Sequence, residues 1–148
     1  MGLVGLAFFL FVVGFVFYTN PNLGTDLRLW SDRVVRNGLF TRPPEGVITS
    51  AVLFFFLMGI ASFVTATLRV VVGRHRFRAL SDVIGGVALV LLSFLLSLYA
   101  SRTISGQLVL ATWAAVLGVL LLIYISLGIY FSWMRHVPRP GPSMTTRP

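Results

Sequence analysis

The chain has 148 residues, 57% hydrophobic and only 11% charged, whereas soluble domains run at roughly 45–50% and about 25%; its mean hydropathy is +0.92. Twelve basic residues, all arginine, against four acids give a net charge of +8. The arginines flank apolar runs instead of striping a polar domain, so the excess points to membrane orientation and anionic headgroups and argues against nucleic acid. No cysteine is present, which removes disulfides, thiolate metal sites and cysteine lipidation.

The first apolar run covers residues 2–18, about 17 residues, the lower limit for a bilayer span. A cleaved signal peptide is the competing reading. No basic segment precedes the run, however, and FVFYTNPN offers no small-x-small cleavage site. A retained helix is therefore expected, stopped by Asn20-Pro21. In the polar segment that follows, residues 26–37 (DLRLWSDRVVRN) read as an amphipathic helix with Thr25 as its N-cap. Leu23, Leu27, Trp30 and Val34 share one face, and Asp32 stands i±4 from Arg28 and Arg36, where it can bridge both. A Trp-bearing amphipathic helix beside a span is expected to lie in the headgroup plane, either packed over the helix ends or presenting Trp30 to a partner.

Arg42-Pro43-Pro44 forms a stiff turn into the second run, residues 47–72, in which Arg69 is placed to snorkel toward the headgroups. A basic loop with Arg74, Arg76 and Arg78 follows, and Ser81-Asp82 reads as the N-cap of the third run, residues 83–100, with Asp82 close enough to Arg78 to offset its charge. The connector SRTISG leads to the fourth run, residues 106–134. Residues 135–148, rich in Pro and Arg, cannot bury a core and are expected to be extended or disordered. Arg-His-x-x-Arg occurs at the end of both long runs, at 74–78 and 135–139, which suggests two repeated hairpins, although basic residues are expected wherever a span leaves the membrane.

The predicted fold is an all-α integral membrane protein: a four-helix transmembrane bundle of residues 1–134, with an interfacial amphipathic helix between the first two spans. Helices in lipid associate by close approach of small residues. Gly59, Ser62 and Ala66 in the second span, Gly86, Ser93 and Ser97 in the third, and Ala111, Ala115 and Gly118 in the fourth form such stripes at helical spacing. Four spans put both termini on the side of the 74–78 loop, with seven arginines there against five opposite. The positive-inside rule makes that side cytoplasmic, in the cell membrane.

Chemistry is sparse. Neither the acids nor the histidines fall in the middle of a run. His75 and His136 with Asp82 make a poor metal site, better read as interfacial anchors. No metalloprotease, nucleophile-elbow or phosphate-loop motif occurs, and the run interiors offer no ionisable group for a coupled carrier. The expected function is therefore that of a non-catalytic subunit, scaffold or assembly factor of a larger membrane complex, without a cofactor. Its partners would be anionic headgroups, met by Arg74, Arg76, Arg78, Arg135 and Arg139, and other membrane subunits or further copies of the chain. The alternative is a small homo-oligomeric channel or transporter component lined by serine and threonine stripes.

Overall fold

The computed structural model describes residues 2–37, 42–73 and 76–135. They form five helices, α1 (Gly2–Thr19), α2 (Leu23–Asn37), α3 (Glu45–Gly73), α4 (Arg76–Ala100) and α5 (Gly106–Arg135), and no strand among the described residues. Three segments, Glu45–Val71, Ala79–Ala100 and Gly106–Tyr130, are long and apolar enough to cross a membrane. Arg74, His75, His136, Arg139 and the remainder of the tail lie outside the described residues.

The helix ends follow local chemistry. Pro21 cannot continue α1, and the axis turns through 88° between α1 and α2. The N-cap of α2 is Asn22, whose carbonyl accepts from Asp26 N at 2.9 Å; Thr25, the cap expected from sequence, lies inside the helix because the turn at Pro21 already starts it. Pro44 opens α3, its carbonyl accepting from the amides of Val47 and Ile48, with Glu45 in the first turn against the helix dipole. Ser105 caps α5, its Oγ accepting from Leu108 N at 3.3 Å.

Two sequence expectations are corrected. Ser81 and Asp82 do not cap a helix beginning at residue 83: α4 starts at Arg76, and both sit in its interior. The physical reason is packing. Ala79 is buried, so the hairpin with α3 extends the helix past the apolar run. Nor does an ion pair join Asp32 to Arg28 or Arg36 among the described residues; all three are exposed on α2, where water competes with any such bridge.

α3 and α4 form the main hairpin. α1 and α2 pack on α3, α5 packs on α4, and no other pair makes more than a marginal contact among the described residues. The helices expected to form a compact bundle thus pack in series, α1, α3, α4, α5. A small core gathers Val12 and Val16 of α1 with Leu23 of α2, packed against Leu53, Phe54 and Met58 of α3. Phe9 meets Phe54 edge-on at 6.1 Å. α5 is covered least, and Val109 is its one buried hydrophobic residue among the described side chains.

Candidate functional site

The seam between α3 and α4 is built on a seven-residue repeat. Val52, Gly59 and Ala66 from α3 run antiparallel to Ser93, Gly86 and Ala79 from α4. A seven-residue spacing keeps one narrow edge of each helix facing its partner, and small residues let the backbones approach. Gly59 and Gly86 are the point of closest approach. A Cβ at Gly59 would lie 2.6 Å from Val90 Cγ2 and 3.1 Å from the Gly86 carbonyl, and one at Gly86 would lie 3.1 Å from the Gly59 carbonyl and 3.2 Å from Ser62 Cβ. Ser93, buried, donates its hydroxyl to the Val52 carbonyl at 2.9 Å and so binds across the seam. Ser62 instead donates to Met58 O in its own helix. The structure splits the third-span stripe: Gly86 and Ser93 lie in the seam, while Ser97 is exposed.

Toward the C-terminus of α3 and the start of α4 the seam ends in an ion pair, Arg69 Nη1 to Asp82 Oδ2 at 2.6 Å, with both side chains about a quarter exposed. Oδ2 is sealed from solvent and makes no well-aligned hydrogen bond, so the contact is ionic. This corrects the expected snorkelling of Arg69. Helical side chains lean toward the N-terminus, so in an antiparallel hairpin those of Arg69 and Asp82 lean toward one another. The side chains of Arg76, Arg78 and Arg135 lie outside those described, although their backbones are helical.

The opposite end of the molecule is tied by residues at helix breaks. Asn20 donates to the Gly46 carbonyl at 3.1 Å and to Ser50 Oγ at 3.0 Å, fastening the α1–α2 elbow to α3. A Cβ at Gly46 would lie 2.8 Å from Asp26 Oδ2 and 3.1 Å from Asn20 Nδ2, so those side chains would have to move to admit one. Arg42 donates to the carbonyls of Tyr99 and Ala100, with its guanidinium 5.2 Å over the Tyr99 ring. It thereby supplies the C-terminus of α4 with the donors and positive charge that a helix end favours. Arg102 has φ 60°, and the bonds Arg102 N to Tyr99 O and Thr103 N to Leu98 O complete a Schellman end. No local motif marks the roles of Asn20 and Arg42, because both depend on two helices meeting.

Two recesses flank the main hairpin. One, about 250 Å³, lies in the crook of the elbow between Val13, Val16, Leu27, Val47 and Phe54. The other, about 260 Å³, lies between α4 and α5. Trp30 is half-buried on α2, whereas Ala111, Ala115 and Gly118 are exposed, and a Cβ at Gly118 would meet nothing within 4 Å. The structure therefore brings the second and third stripes together and leaves the fourth outside. Among the described residues no three of His, Asp and Glu converge as metal ligands would. No protein family, no curated protein and no solved structure matches the chain.

Proposed function

We propose that the chain is a multi-pass membrane protein in which α1, α3, α4 and α5 cross the bilayer, α2 lies at the surface, and the whole acts as a non-catalytic subunit, scaffold or assembly factor of a larger membrane complex. Lengths support the first part. α3, α4 and α5 measure about 43, 37 and 45 Å at 1.5 Å per residue, enough for a hydrocarbon core of about 30 Å; α1, about 27 Å, falls slightly short and would cross with local thinning of the bilayer. The 88° elbow supports α2 in the headgroup plane when α1 stands along the bilayer normal.

The observation that carries the subunit reading is the outer face of α5. Leu110, Leu122 and Ile129 are strongly exposed there, and Ala111, Ala115 and Gly118 lie exposed on the same helix. Small residues at this spacing favour another helix over lipid tails. The channel alternative draws less support, since the hydroxyl of Ser93 is bound within the hairpin. Affinity purification in mild detergent tests the proposal. Unlike subunits in stoichiometric amount are expected, and a lone monomer would count heavily against it.

A further inference from the structure

α4 presents small residues to both neighbours, but only one of these contacts closes. Toward α3, Gly59 and Gly86 meet at the limit of approach. Toward α5, Ser81, Gly85 and Ala88 succeed one another at spacings of four and three, faced in antiparallel order by Tyr124, Leu120 and Leu117 across a cavity of about 260 Å³. A Cβ at Gly85 would meet nothing within 4 Å. The cavity is alkyl-lined except at one end, where Ser81 and Tyr124 sit.

Position, length and charge define what fits. From Ser81 to Ala88 the slot runs about 10 Å along α4, toward the midplane of a hydrocarbon core whose half-thickness is about 15 Å. Ser81 lies five residues from the start of α4, whose first turn contains Arg76 and Arg78 and is preceded by Arg74. The nearest acid in sequence, Asp82, is paired with Arg69. The polar end of the slot therefore lies within two turns of the start of α4, the positive end of a helix dipole and the stretch of sequence densest in arginine.

We propose that the α4–α5 slot holds one acyl chain of an anionic phospholipid from the leaflet on the side of the 74–75 turn, its phosphate drawn by the arginine-rich start of α4. The site rests on the membrane reading above. The test uses the full chain reconstituted in phosphatidylcholine vesicles containing a phosphatidylglycerol with a diazirine on its acyl chain. After irradiation, adducts mapped by peptide mass spectrometry should concentrate at 84–88 and 117–121 and be competed by unlabelled phosphatidylglycerol but not by added phosphatidylcholine. Gly85→Leu, which fills the slot, should abolish them, and Gly118→Leu, in open space, should not. Adducts spread evenly over Leu110, Leu122 and Ile129, or equal competition by both lipids, would overturn the site. If Gly85→Leu does not fold, the wild-type competition alone decides. Alkaline carbonate washing separates the two readings. A chain that stays in the pellet but labels evenly keeps its membrane assignment and loses the lipid site, whereas release into the supernatant removes both.

Discussion

Arg69 and Asp82 face each other across the α3–α4 hairpin at 2.6 Å, one charge from each arm. The pair sits on the turn side of the Gly59–Gly86 contact and the Ser93–Val52 hydrogen bond, so three interactions of different chemistry fasten one seam. Close glycine packing fixes how near the helices come. The hydrogen bond and the ion pair fix their register, because each is satisfied at a single axial offset.

Removing one charge should therefore cost more than removing both. Asp82→Asn leaves the Arg69 guanidinium partly buried without its counter-charge, and a loss of about 2–4 kcal/mol is expected, toward the lower end because both groups keep some solvent contact. Arg69→Gln with Asp82→Asn should recover most of it. Unfolding followed in detergent for Asp82→Asn, Arg69→Gln and the double variant gives the coupling energy, and a double variant no more stable than Asp82→Asn alone would dismiss the ion pair as a contributor.

Gly59→Ala should destabilise by about 1–3 kcal/mol, since the new methyl group arrives 2.6 Å from Val90 Cγ2 and close to the backbone of α4. Adding Val90→Ala should restore only part of this, because the Gly86 carbonyl remains at 3.1 Å. Gly118→Ala is the matched control. It enters open space and should be neutral or stabilising by up to about 1 kcal/mol through helix propensity. Similar losses at the two glycines would remove the close-approach argument.

Composition and hydropathy make the helices legible because apolar runs and proline stops are local signals. Gly59, Ser62 and Gly86 could likewise be chosen from spacing. What could not be read was pairing. Ala111, Ala115 and Gly118 carry the same kind of pattern as Gly59, Ser62 and Ala66, yet the first set is exposed and the second lies along the seam. Asp82 stands four residues from Arg78 in sequence but pairs with Arg69, thirteen residues away, through the tilt of two antiparallel helices. Arg42 reaches the end of α4 across 57 residues of sequence, a distance at which no local motif operates. The start of α4 is not legible in hydropathy, which falls at Arg78, while the helix continues under tertiary packing at Ala79.

Arg102 occupies the left-handed position that closes α4, with φ 60°, a conformation that costs a non-glycine residue about 1–2 kcal/mol. Arg102→Gly should relieve this, offset in part by the greater entropy of glycine in the unfolded chain, for a net gain of up to about 1 kcal/mol. Thermal unfolding of the purified protein reads the sign. A fall in stability would mean that the Arg102 side chain contributes more than its backbone conformation costs.

The proposed topology can be tested with single cysteines because the chain has none of its own. Seven arginines on the side of the 74–75 turn oppose five on the other, and the structure weakens the smaller group as an orientation signal. Arg42 is engaged in capping α4, and Arg102 forms its left-handed end, so both have local reasons to be where they are. The sites must be chosen by exposure. Ala79, next to the basic turn, looks suitable from sequence but is buried, and a cysteine there would stay unlabelled on either side. Ser31→Cys and Thr103→Cys, both exposed, should react with an impermeant maleimide added to intact cells, while Ser143→Cys in the tail should react only after the membrane is opened. The reverse pattern would invert the topology, and labelling of all three in intact cells would put Thr103 and the tail on one side and so remove α5, the helix between them, from the spans.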